Sequence, residues 1–181
     1  MTIRKILILP DPVLRKVAQP VEAIDDRIRT LAGDMLDTMY DAPGVGLAAP
    51  QVGVLERVVV CDCSREGEPP APMALVNPEI VWASEERKVH EEGCLSIPEY
   101  TEDVERPASV RVAYLDLDGN RQEVAADGLL AVCLQHEIDH LDGVLFIDHL
   151  SRLKRERVTK RFAKQARQAS EPKRPRSEPV A

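Results

Sequence analysis

The sequence predicts an α+β fold, with antiparallel or mixed β-strands packed around a central helix that carries the pattern H-E-x-x-H, and a further helix at the C-terminal end. Two observations point to it. Apolar residues recur at helical spacing over 23–42 and 128–141, and the stretch between them is rich in short β-branched runs separated by turn residues. A third sets the scale: 181 residues, 44% of them hydrophobic, suit one globular domain.

Each element has a local reason. Asp11-Pro12 ahead of Val-Leu-Arg-Lys supplies a cap and a proline at the first helical position, so a short helix opens there. Over 23–42, Ile24, Ile28, Leu31, Met35, Leu36 and Met39 share one face, and Asp25 and Asp26 stand where the helix dipole favours acids. Pro43 and Gly44 end that helix. Residues 44–53, Gly-Val-Gly-Leu-Ala-Ala-Pro-Gln-Val-Gly, suit neither helix nor strand and are expected as a loop whose glycines permit close backbone approach. Residues 57–63 are expected as a buried strand and 64–72 as a loop. Further strands are expected over 74–76, 79–83 and 109–116, the last turning at Asp118-Gly119-Asn120 to pair with 122–125. Residues 128–141, capped by Asp127 and closed by Gly143, form the central helix. Ser151 caps a last helix reaching about Ala169. Residues 1–169 thus form the domain, and 170–181 are a basic, proline-rich tail with too little apolar surface to fold alone.

Charge and cysteine content narrow the function classes. The chain carries 24 Lys and Arg against 31 Asp and Glu, net −7. From Ser151 onward eleven basic residues face three acids, a balance of +8, so residues 1–150 carry −15. An acidic body bears a basic end. No apolar run approaches the roughly 18–20 residues of a membrane span, and the charges and prolines of the first sixteen residues do not suit a secretion signal. Cys61, Cys63, Cys94 and Cys133 are too few for a disulfide scaffold and form no C-x-x-C, so a reducing, cytoplasmic setting is expected.

The strongest chemical signal is His136-Glu137-Ile138-Asp139-His140. Residues four apart on a helix lie one turn above each other, so both imidazoles can share a metal while Glu137 stands within reach as a general base. A third ligand is needed, and Cys61, Cys63, Cys94, Cys133, His90, His149 and several carboxylates are available. Cys61, Cys63 and Cys133 also fit as small buried thiols. Cys94 stands between a glycine and a short apolar step ending in proline.

Three segments, Gly44-Val45-Gly46-Leu47-Ala48-Ala49-Pro50-Gln51, Glu92-Gly93-Cys94-Leu95-Ser96 and Gln135-His136-Glu137-Ile138-Asp139-His140, occur in the order found in peptide deformylases, and the chain resembles that family over roughly residues 5–165. The resemblance implies removal of the formyl group from the N-terminal formyl-methionine of newly made proteins, with release of formate. It implies that Cys94, His136 and His140 hold one divalent metal and leave a fourth position open, as catalysis requires. It also implies that Glu137 is the acid/base and that the Gln51 amide and the Leu95 backbone N–H donate to the oxyanion. Ferrous iron is the implied metal, with zinc, nickel or cobalt as substitutes. The substrate-binding residues expected are Val45, Gly46, Glu92, Leu129, Val132 and Cys133, with Val45, Leu129, Val132 and Cys133 lining the methionine pocket. His90 departs from the aliphatic residue usual at its position in similar sequences and would make that pocket more polar.

Two other readings share the motif. A zinc peptidase would draw its third ligand from downstream, from Asp142, Asp148 or His149; a closed structural zinc site would use Cys94, His136, His140 and Cys133. The basic helix from Arg152 to Arg167 is expected either to dock on ribosomal RNA or to shield the acidic body.

Overall fold

The structure, a computed structural model, describes residues 2–65 and 67–170. Thus 171–181 of the expected tail lie outside the described residues. Three helices, α1 (Asp26–Asp41), α2 (Gly128–Leu141) and α3 (Arg152–Ser170), accompany seven strands: β1 (Gly46–Ala48), β2 (Val58–Cys61), β3 (Met73–Ala83), β4 (Arg87–Cys94), β5 (Ile97–Pro107), β6 (Ser109–Leu115) and β7 (Arg121–Asp127). Five strands form an antiparallel sheet in the order β1-β2-β3-β6-β7, and β4 and β5 form a separate antiparallel hairpin.

The β2 sequence Val-Val-Val-Cys explains the layering. Val59 and Cys61 point into a core shared with Ala131, Cys133, Leu134 and Ile138 of α2, and Val58 and Val60 point into one shared with Ile28, Leu31, Met35 and Met39 of α1. A strand buried on both faces reads as a continuous apolar run. The sheet is therefore held between α1 and α2, and α2 is buried along most of its length. A third apolar cluster joins the hairpin (Ile97, Val104), the N-terminal segment (Leu9, Leu14), a 3₁₀ turn (Phe146–His149) and α3 (Val158, Phe162). No helix among the described residues is long and apolar enough to cross a membrane.

Several expectations are realised. Asp11 caps a 3₁₀ turn over Pro12–Arg15, accepting from the Val13 N–H at 2.9 Å. The helix expected over 23–42 forms as α1, and Asp25, expected there only as an acid suited to the helix dipole, also caps it, its carboxylate accepting from the Ile28 N–H at 3.1 Å. The turn at Gly119, φ +84°, joins β6 to β7. Gly143 follows α2 with φ +72°, and a Cβ there would lie 2.6 Å from the Arg15 carbonyl oxygen, so glycine is required twice over.

Four expectations need correction. Residues 44–53 are not an unstructured loop: β1 pairs with β2, and a 3₁₀ turn follows over Ala49–Val52. The two strands at 74–76 and 79–83 are one strand, β3, irregular at Pro78, which has no N–H to give the ladder. Asp127 occupies the cap position of α2, but its side chain makes no capping bond. The β4-β5 hairpin was not expected at all. Its inward side chains include His90, Glu92, Cys94, Tyr100, Glu102 and Arg106 beside the apolar Ile97 and Val104, while Val89 faces solvent, so the usual alternation of apolar-in and polar-out is broken.

Candidate metal centre and active site

Three elements supply the centre. On α2, His136 and His140 stand one turn apart with ring centroids 5.1 Å apart. Cys94 ends β4 at an irregularity in the hairpin register, which carries its thiol towards α2. Its Sγ lies 3.2 Å from His140 Nε2, and the ligand atoms of Cys94, His136 and His140 all lie within 4.8 Å of one another. This is the only such group of three among the described residues.

The alternative ligands are engaged elsewhere. Asp142 pairs with Arg57 at 2.7 Å, Asp148 with Arg15, and His149 with Asp139 at 2.8 Å. Cys133 packs in the core beside Val45 and does not join the group, which leaves the centre with three donors, as an open site has.

A charged network orients His136. Its Nδ1 lies 3.0 Å from Glu92 Oε2, which directs Nε2 to the opposite side of the ring. Arg106 grips Glu92 through two bonds, Nε to Oε1 at 2.5 Å and Nη2 to Oε2 at 3.0 Å, and reaches Asp139 through Nη1 at 2.9 Å. Phe146 stacks on the His136 ring at 5.9 Å. Burial pushes the Glu92 carboxyl up, but hydrogen bonds from His136 and Arg106 outweigh it and hold the group at about 2. Burial likewise pushes His136 down while Cys94 and Glu92 hold it well above its usual value; His140, buried beside it, falls well below its own. Two buried atoms, Glu137 Oε2 and His140 Nδ1, have no hydrogen-bond partner among the described residues. A soft thiolate, two imidazoles and an unpaired carboxylate beside them fit a divalent transition metal.

Glu137 is buried, and burial raises its carboxyl to about 7. Gly46 makes room for it, since a Cβ at that position would sit 2.6 Å from Glu137 Oε1. Gln51 is almost fully buried. Its Oε1 accepts from the Ala48 N–H at 2.8 Å, and its Nε2 donates to Ser96 Oγ at 3.1 Å and lies 3.6 Å from Cys94 Sγ. A cavity of about 570 Å³ opens over these groups. Of the residues singled out in the sequence, Val45, Gly46, Gln51, Glu92, Cys94, Leu95, Leu129, Val132, Cys133, His136 and Glu137 all line it, and His140 lies behind. His90 does not line it, so the expected change in pocket polarity has no basis in the structure. Glu92 has both carboxylate oxygens occupied by Arg106 and His136. Sequence reasoning missed Arg106, Ser96, Phe146 and the cavity wall at Tyr100; Arg106 shares its inward row with Val104, so strand alternation alone does not single it out.

Fold and site together define an α+β hydrolase of the H-E-x-x-H metal-dependent class. The family model for polypeptide deformylase matches residues 3–156. The chain is 61% identical over 167 residues to the peptide deformylase of Rhizobium meliloti, covering 92% of this chain and 96% of that one. It is 60% identical over 173 residues to that of Brucella suis, covering 96% and 99%. Among solved structures, a peptide deformylase from Legionella pneumophila superposes with a TM-score of 0.84 at 51% identity, over 94% of this chain and all of that one. One from Ehrlichia chaffeensis in complex with actinonin superposes at 0.87 and 42% identity, over 92% and 99%. The chain belongs to the polypeptide deformylase family, and it is a metal-dependent hydrolase that removes the N-formyl group from nascent peptides.

Proposed function

We propose that Cys94, His136 and His140 hold one divalent ion, that Glu137 is the acid/base, and that Gln51 and the Leu95 backbone N–H stabilise the oxyanion during deformylation. The observation that carries this reading is the three-donor group at the cavity floor beside a buried, unpaired Glu137. A bound divalent ion supplies Lewis acidity, polarising the formyl oxygen and lowering the pKa of water. Glu137, held near neutrality by burial, is suited to take a proton from the attacking water and return it to the departing amine as the C–N bond breaks, giving formate and a free amino terminus. Gln51 is anchored at its carbonyl end by Ala48, which keeps its amide group beside Cys94 and Ser96; an oxyanion donor is worth about 3–4 kcal/mol. Val132 and Cys133 form the buried wall of the methionine pocket, with Gly46 beside them and Val45 and Leu129 at its exposed rim. Glu92 lines the cavity but serves His136, because its oxygens are taken.

The resident metal is proposed to be ferrous iron, with zinc, nickel or cobalt as substitutes, since one thiolate and two imidazoles accept each. Oxidation of Cys94 would remove a ligand, so activity should fade in air. Residues 1–169 are proposed as the catalytic domain, acting in the cytoplasm. Arg152 to Arg167 are proposed to contact ribosomal RNA, an interaction that should weaken steeply with salt; Lys154 and Arg161 also reach Glu102 and Glu99 of the hairpin, at 2.8 and 4.0 Å.

Formate release from a formyl-Met tripeptide by anaerobically purified, iron-loaded protein tests the reading, with the acetyl-Met tripeptide as control. Release is expected from the formyl substrate alone, falling about 10²-fold or more in Glu137→Gln with the metal retained. Metal-loaded protein that releases no formate would refute it.

A further inference from the structure

We propose that His149 is a positioning residue for His136, acting through Asp139, Arg106 and Glu92. The inference rests on the reading of His136 as a metal ligand. Four polar links run inward from His149. Its Nε2 lies 2.8 Å from Asp139 Oδ2, which also accepts from Arg106 Nη1 at 2.9 Å. Arg106 then holds both oxygens of Glu92, and Glu92 Oε2 lies 3.0 Å from His136 Nδ1. Side-chain exposure falls along this line, from 35% at His149 to 24% at Asp139, 5% at Arg106 and 2% at Glu92. The inner links are confined by packing. The outer ones are held by their hydrogen bonds.

Asp139 decides the matter. It follows His136 on α2 by three residues and is exposed enough to turn to water. His149 supplies a second donor from a different element, the 3₁₀ turn Phe146–His149, and pins the carboxylate against Arg106. The same turn lays Phe146 on the face of the His136 ring. One four-residue segment therefore sets both the ring plane, by stacking, and the edge that donates to Glu92, through the charged chain. Without the His149 donor, Asp139 is free to swing out. Arg106 then loses its fixed third contact, and the fork that orients Glu92 loosens.

Cobalt(II) binding to the full chain tests this, read by competition with a chelator and by the thiolate-to-cobalt and visible absorption bands. Wild type, His149→Leu and His149→Gln are compared, the glutamine being able to keep an N–H towards Asp139. His149→Leu is expected to weaken binding about 10-fold and to shift the visible bands, and His149→Gln to restore both. Wild-type affinity and bands in His149→Leu, whatever its stability, would overturn the proposal. So would equal impairment of both variants, which would assign the effect to the shape of the turn. Should His149→Leu not fold, Asp139→Asn takes its place, with the same expected weakening and the same refuting result. A wild type that binds cobalt without a thiolate band would refute the metal-centre reading itself, and this inference with it.

Discussion

Replacing Gly46 by alanine should disable the enzyme while leaving it folded. Gly46 lies in β1, paired with Cys61, in an extended backbone that alanine adopts without strain. The added Cβ would stand 2.6 Å from Glu137 Oε1, 2.9 Å from Glu137 Cγ and 2.7 Å from Cys133 Sγ. Non-bonded heavy atoms settle at about 3.5–4.0 Å, so Glu137 must retreat by roughly 1 Å. Cys133 sits in the core on the other side and has little room to yield. A misplacement of about 1 Å at a reacting group costs about 10² in rate, whereas overpacking one methyl costs about 1–3 kcal/mol of stability. The expected result is a kcat for formate release lowered about 100-fold, a KM changed much less, metal content unchanged and cooperative urea unfolding retained. A Gly46→Ala protein with wild-type kcat would show that Glu137 does not need its observed position, and the assignment of the acid/base would fall.

Other expectations follow from the same geometry. Glu92→Gln leaves the buried Arg106 short of its carboxylate and should cost about 3–5 kcal/mol in urea unfolding. The folded Glu92 carboxyl titrates at about 2, below its usual 4.5, so this stabilisation is fully present above about pH 4.5 and is lost as pH falls through about 2. The shift corresponds to about 3 kcal/mol, so a gap between wild type and variant that is the same at pH 3 as at pH 6 would refute the pairing. Gly143→Ala combines a left-handed backbone with a Cβ 2.6 Å from the Arg15 carbonyl oxygen, and should destabilise by about 1–3 kcal/mol with kcat per folded molecule unchanged. Chelation should abolish formate release yet leave cooperative thermal unfolding at a lowered Tm, because the three apolar clusters do not depend on an ion; unfolding on chelation would instead point to a structural metal site.

The helices were legible because their signals are local. Asp25 caps α1 through a bond to Ile28 three residues on, and the interval between His136 and His140 places both on one face of α2 by helix geometry alone. The strand at β2 announced itself by an unbroken apolar run, since both its faces are buried. Gln51, Cys94 and Glu137 could be named from three short motifs, but nothing local says that they meet. Cys94 reaches His140 across 46 residues of chain and Gln51 reaches Ser96 across 45.

What the sequence by itself determined is therefore the chemistry: two imidazoles and a carboxylate on one helix, a thiol for a third donor, and the family to which those motifs belong. Only the tertiary structure shows that Cys94, already named by its motif, stands beside His140, and how His136 is held. The β4-β5 hairpin turns Glu92 and Arg106 inward, against the apolar-in pattern by which strands are recognised, and their burial is tolerable only because each neutralises the other. Such a pairing is a property of two residues 14 apart in sequence and of the wall they face, so it exists only once the chain has folded. His149 shows the same rule: a ligand candidate by composition, it stands instead against Asp139, because the 3₁₀ turn places it there.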